Sequence, residues 1–233
     1  IKEIFTSFYY EDESGYKYDY RPITHLSFAI AHQFFGDNPK VSHLINVSLY
    51  ACLAFLLFQF LSALFPSNLS LLAWIATILF IFHPLHTEVV ASIKNRDEIL
   101  ALIFVILTGL MMLYGLQKKK WYFILLALIP FFLALLSKIT VLSFILLLPL
   151  SIILFKNISW LQWALICVPI NLLGVYSSFL YTKEKIVLLF ASLLFLFLLK
   201  ELKDRAALIK KLSGLLIRLI QQIVLQSVKH IKN

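Results

Sequence analysis

The sequence is poor in charge. Only 14% of its 233 residues are Asp, Glu, Lys or Arg, against roughly 25% in an ordinary soluble domain. So few charges cannot clothe a globule in water-facing side chains, which excludes a soluble domain. It has two cysteines, Cys52 and Cys167, and both lie inside apolar runs. That excludes a disulfide framework and a cysteine-based metal site, and leaves both as small packing residues. There is no internal repeat, no low-complexity tract and no signal-peptide pattern. The chain opens on Ile1 instead of Met, from which we expect that residues upstream are missing.

What is abundant is apolar side chain, at 61%. Seven long apolar runs cover roughly 41–65, 69–83, 98–116, 121–137, 139–155, 158–181 and 186–200. A bilayer span needs about 20 such residues. The expected fold is therefore all-α, a polytopic transmembrane helical bundle of about seven spans. The second and last runs are the shortest. Pro130, Pro149 and Pro169 fall inside spans, where neighbouring helices can satisfy the carbonyls they free.

Three regions follow from this pattern. Residues 1–40 form a polar, Tyr-rich loop that ends in a helix lying on the membrane surface. Ile23, Leu26, Ile30 and Phe34 recur at helical spacing there, with His25 and His32 interleaved. Residues 41–200 form the transmembrane helical domain. Residues 201–233 carry an apolar stripe broken by Lys210, Lys211, Arg218 and Lys229, which reads as a basic amphipathic tail on the inner leaflet.

The net charge of +9 sits between and after the apolar runs. Membrane topology explains it, and nucleic acid is not an expected partner. Lys118-Lys119-Lys120, Lys156 and the 200–211 cations fall on one side by alternation. The positive-inside rule makes that side cytoplasmic. The loops 1–40 and 84–97 are then extracytoplasmic, and membrane lipid is the first partner.

Chemistry gathers where the second run reaches the outer surface. His83-Pro84-Leu85-His86-Thr87-Glu88 is followed by Lys94-Asn95-Arg96-Asp97-Glu98. Ionisable groups at membrane depth are expensive, which points to function. His86 and Glu88 can position an acceptor hydroxyl or shuttle a proton. With His83 they can also ligate a divalent metal such as zinc or manganese. Lys94 and Arg96 suit a phosphate, Arg as a bidentate grip and Lys as a point charge. Arg21, before Pro22, and Lys138, between two runs, add two more cations on the outer side. Together the four suit an anionic lipid headgroup such as a polyprenyl phosphate, while each singly is compatible with snorkelling.

Three stretches resemble one family. Tyr18-Asp19-Tyr20-Arg21-Pro22-Ile23-Thr24-His25-Leu26-Ser27-Phe28 with Phe35-Gly36-Asp37-Asn38-Pro39, the run from His83 to Leu100, and Leu135-Leu136-Ser137-Lys138 resemble motifs of the polytopic O-mannosyltransferase-like proteins. These belong to the GT-C glycosyltransferases and often carry tetratricopeptide repeats. The resemblance covers about residues 5–150. It implies transfer of a mannose-like sugar from a polyprenyl-phosphate donor to a protein or other hydroxyl acceptor on the outer face, with inversion and an acidic base. The family's catalytic carboxylate is expected upstream of this chain; among the residues present, catalysis is assigned to Asp19, His86 and Glu88. Arg21, Lys94, Arg96 and Lys138 would bind the donor phosphate, and His25, His83 and Asp97 would form the site wall. Three departures stand against it. The family's acidic motif after a first helix is absent, Ile139 replaces a carboxylate, and there is no repeat domain. A non-catalytic membrane module and a lipid-binding or transport scaffold are the alternatives.

Overall fold

The computed structural model describes residues 4, 10–11, 17–18, 20–156 and 158–181. Asp19, the run 186–200 and the 201–233 tail lie outside the described residues. The first loop holds a two-residue antiparallel ribbon, β1 (Tyr10–Glu11) against β2 (Lys17–Tyr18), with Tyr10 opposite Tyr18. All other regular structure among the described residues is helical.

Proline sets two helix starts. Pro22 opens α1 (Pro22–Phe35) and Pro39 opens α2 (Pro39–Leu64). In both it stands at the first turn, where its fixed φ and missing N–H cost nothing. The Asn38 side chain accepts from Lys40 N and caps α2. Between the helices Gly36 has φ 63°, a left-handed backbone that a side chain disfavours. α1 covers the helix expected from the Ile23, Leu26, Ile30 and Phe34 spacing. It docks on the bundle through the Thr24 hydroxyl, which donates to the Ser137 carbonyl at 3.3 Å.

α3 (Ser70–Ile81) and α4 (Leu85–Ala91) meet at a 62° bend across His83-Pro84. A short 3-10 turn, Ile93–Asn95, leads into α5 (Arg96–Lys118). The run expected over 121–137 is two helices, α6 (Trp121–Leu126) and α7 (Leu128–Ser137). Pro130 accounts for the break, because it cannot donate to the Leu126 carbonyl and its ring crowds that group. Lys138 is extended, a 3-10 stretch covers Ile139–Ser143, and α8 (Phe144–Phe155) and α9 (Trp160–Tyr181) follow.

Apart from the short ribbon, the described residues make a helical membrane protein. Six of the seven apolar runs are helical in the described residues. Two helical segments, Pro39–Leu64 and Ile93–Lys118, are long and apolar enough to cross a bilayer singly, and the bent pair makes a third. Those over 121–137, 139–155 and 164–174 are shorter. α5 has 23 residues, about 34 Å at 1.5 Å each, which matches a hydrocarbon core near 30 Å. It is the central helix, since 56% of its apolar window is buried against 17% for α2. Ile99, Val105, Met112 and Leu113 of α5 pack with Leu53 and Phe60 of α2 and with Phe131 and Leu135 of α7. Leu71, Trp74, Ile78 and Leu79 of α3 face outward, as lipid contact requires.

The α2–α5 seam depends on a small residue. A Cβ placed at Gly109 would lie 2.5 Å from a Phe60 ring carbon. The glycine leaves room for the Phe60 ring against the α5 backbone, and small residues of this kind are enriched at helix interfaces in bilayers. Gly109→Val is expected to cost about 1–3 kcal/mol, read as unfolding at a lower denaturing-detergent fraction than the parent protein.

Candidate functional site

The start of α5 sends three consecutive charged side chains to different places. Successive residues on a helix point about 100° apart. Arg96 goes inward, Asp97 goes toward α1 and α7, and Glu98 reaches the edge of the bundle.

Arg96 is fully buried. Its Nε donates to Asn46 Oδ1 at 2.9 Å, Nη2 to the Ser42 carbonyl at 3.1 Å and Nη1 to the Ser27 carbonyl at 3.4 Å. The guanidinium carbon lies 4.2 Å from the centre of the Phe28 ring. Among the described residues no carboxylate pairs with it. The charge is held by oxygen dipoles and an aromatic face. These contacts bind α1 and α2 to the start of α5. Asn46 completes the link, donating to the Ser92 carbonyl at 3.2 Å.

Asp97 lies between two cations from distant parts of the chain. Its side chain is 2% exposed. Arg21 Nη1 donates to Oδ2, and Lys138 Nζ stands 3.4 Å from the same oxygen. Asp97 Oδ1 accepts from Glu98 N at 2.8 Å. Lys138 also donates to Glu98 Oε1, and the Glu98 side chain is 43% exposed. Two cations and two carboxylates therefore balance in a partly buried cluster, as low dielectric demands. Arg21 enters at the N-cap of α1, and Lys138 at the C-cap of α7.

Below the cluster lies a cavity of about 250 Å³, lined by Tyr50, His86, Glu98, Thr140, Val141 and Phe144 among others. His86 Nδ1 is 2.6 Å from the Phe80 carbonyl and 3.1 Å from the Tyr50 hydroxyl. The carbonyl can only accept, so Nδ1 carries the proton and Nε2 is left as an acceptor.

The structure brings Arg21, Asp97 and Lys138 together. It does not bring Lys94, Glu88 or His83 to them. Those three are exposed, and His83 Nδ1 accepts from Leu85 N at 3.3 Å. His86 sits at the cavity, and Arg96 is enclosed behind the cluster. His25 faces a separate groove beside α1. Asp19 lies outside the described residues. No three His, Cys, Asp or Glu side chains converge as metal ligands among the described residues. The side chain that sequence reasoning passed over is Glu98. Its signal was its place in the same Arg-Asp-Glu run, with acids in a helix first turn.

Two outcomes test this geometry. Asn46→Ala is expected to cost about 1–3 kcal/mol, because it strips Arg96 Nε of its acceptor; unfolding in detergent measures it. Burial pushes the His25 imidazole below its ordinary 6.5. The unfolded chain then takes the proton first. Stability is expected to be intact above pH 6.5, to fall as pH drops below it and to level off below the folded value. Thermal unfolding against pH checks this, with His25→Gln flattening the acid-side slope.

No family profile matches the chain, and no solved structure does. Relatives do. The protein O-mannosyl-transferase TMTC2 of Mus musculus is 38% identical over 95 residues, covering 41% of this chain and 11% of that protein. Protein O-mannosyl-transferase Tmtc1 of Drosophila melanogaster is 32% identical over 135 residues, 58% of this chain and 16% of that protein. Human protein O-mannosyl-transferase TMTC3 is 36% identical over 93 residues, 40% of this chain and 10% of that protein. The chain thus spans about a tenth to a sixth of the length of these relatives. The chain is a helical membrane protein, similar in sequence to the TMTC protein O-mannosyl-transferases over 39 to 58% of its length.

Proposed function

We propose that this chain carries the donor-phosphate end of a membrane glycosyltransferase of GT-C type. The enzyme moves a mannose-like sugar from a polyprenyl-phosphate carrier to a protein hydroxyl on the outer side of the membrane. The observation that carries this reading is the convergence of Arg21, Asp97, Glu98 and Lys138 at one end of an apolar bundle. The names of the relatives supply the sugar and the class of acceptor. The cluster and Lys118-Lys119-Lys120 stand at opposite ends of α5. With the lysines cytoplasmic, the cluster faces the outer leaflet.

The chemistry follows from charge. The acceptor oxygen bonds to the anomeric carbon while the bond from that carbon to the phosphate oxygen breaks. The hydroxyl proton goes to a carboxylate, and the polyprenyl phosphate leaves with the bonding pair. A departing phosphate needs fixed cations. Lys138 is the cation nearest the cavity, and Arg21 holds Asp97 behind it. An arriving phosphate competes with Glu98 for Lys138. Glu98, once displaced, is a half-exposed carboxylate beside the cavity and can take the proton. Asp19 is a second candidate for that role. Arg96 fixes the start of α5 and does not touch the donor, while Lys94 serves as an outer, solvated cation for the headgroup.

The test is transfer by the full-length protein in membranes, with radiolabelled polyprenyl-phosphate mannose and a protein acceptor. Lys138→Gln and Glu98→Gln are each expected to lower the rate about 100-fold, the scale on which one charge-stabilising group acts. Lys119→Gln, at the far end of α5, should leave it unchanged. Wild-type protein that binds the lipid but transfers from no donor would leave a lipid-binding membrane module instead.

A further inference from the structure

An open groove of about 650 Å³ runs beside α1, apart from the cavity under the charged cluster. One wall is a single face of α1, marked by His25, Phe28, His32 and Gly36. These recur three or four residues apart, as one helix face must. The other wall is the start of α2, with Asn38 and Ser42. From His25 to Gly36 is eleven residue steps, about 16 Å at the rise of an α-helix. An extended chain advances about 3.3 Å per residue. The wall therefore matches about five residues of extended peptide.

The lining chemistry chooses among occupants. Gln33, which is exposed and whose side chain makes no hydrogen bond among the described residues, gives the rim an amide. Asn38 spends its Oδ1 on Lys40 N and keeps its amide protons. Phe28 and Ile93 provide apolar surface. His32 Nε2 and Asp37 Oδ1 stand 3.3 Å apart at the far end. An anionic headgroup would meet Asp37 there, and a hydrocarbon tail would strip water from amides without replacing it. An uncharged extended peptide, whose backbone both donates and accepts, meets neither cost.

Position gives the groove a direction. His25 is one helical turn from Arg21, and its N–H donates to the Arg21 carbonyl at 3.1 Å. Arg21 is already in the charged cluster. The His25 end of the groove therefore opens beside the place where the donor phosphate is proposed to sit. We infer that the groove between α1 and the start of α2 seats about five extended residues of the protein acceptor, with the hydroxyl-bearing residue at the His25 end. This deepens the glycosyltransferase reading and rests on it for the chemistry, while the peptide site itself can be tested alone.

The experiment uses the full-length protein in membranes. A photoreactive benzoylphenylalanine replaces Gln33, with a second form carrying it at the lipid-facing Leu79. The probe is a labelled, uncharged Ser/Thr peptide of nine residues. Crosslinking at 33, competed by unlabelled peptide and absent at 79, is expected. Crosslinking at 33 to lipid alone, or none that peptide competes, overturns the inference. In the transfer assay Gln33→Ala is expected to raise KM for the peptide about tenfold with kcat and donor KM unchanged. Across peptides of three to nine residues, KM should fall up to about five and then level. Transfer with unchanged acceptor KM and no length break overturns the groove and leaves the transferase reading standing. Competed crosslinking without transfer from any donor upholds the groove and removes the transferase reading.

Discussion

The end of the bundle where α1, α2 and α5 meet is organised by one buried cation. Arg96 lies with no exposed surface at the first turn of the central helix. Such a charge is stable in a low-dielectric interior only when its donors find oxygens. It finds them on α1 and α2, through Ser27, Ser42 and Asn46, with the Phe28 ring against its face. Three helices are tied at one point. The direction of Asp97 and Glu98 then follows from the 100° step of the helix. The helix that anchors the fold is also the helix that presents the acids.

The cluster these acids form is balanced, and that balance makes it usable. Arg21 and Lys138 neutralise Asp97 and Glu98. Asp97, almost without exposure, holds both cations in place. Glu98, at the rim and 43% exposed, is the more accessible of the two carboxylates. A site made only of cations would repel itself and draw nonspecific anions. An apolar cavity lies beneath the charged cluster, and a separate polar groove runs along α1.

Much of this was legible in the chain. The lack of charge and the apolar runs gave a helical membrane protein, because nothing else can bury so much backbone in hydrocarbon. The surface helix was visible from Pro22, the Ile23-Leu26-Ile30 spacing and Gly36. Arg21, Asp97 and Lys138 were all picked out as site residues, for their type and their side of the membrane. Span lengths were less legible. The run over 121–137 is broken near Ala127, since a hydropathy pattern does not register the hydrogen bond that Pro130 cannot make. The His83, His86 and Glu88 group looked like one unit because its members are close in sequence. Across the bend at Pro84 the His83 and His86 rings stay 5.6 Å apart, but His86 turns against Tyr50 while His83 and Glu88 are exposed.

What the sequence by itself determined is the solvent of the protein, its helical class and the end at which its chemistry gathers. These depend on composition and on periodicity, which are local properties. What only the tertiary structure decided is which charges meet. Arg21, Asp97 and Lys138 are separated by 76 and 41 positions, and no local rule pairs them. Arg96 and Lys94, two residues apart, end in opposite environments, one enclosed and one exposed. The physical reason is that an ion pair or a buried charge is settled by the dielectric and the oxygens around it. Those are set by helices from elsewhere in the chain, and exist only once the helices have packed.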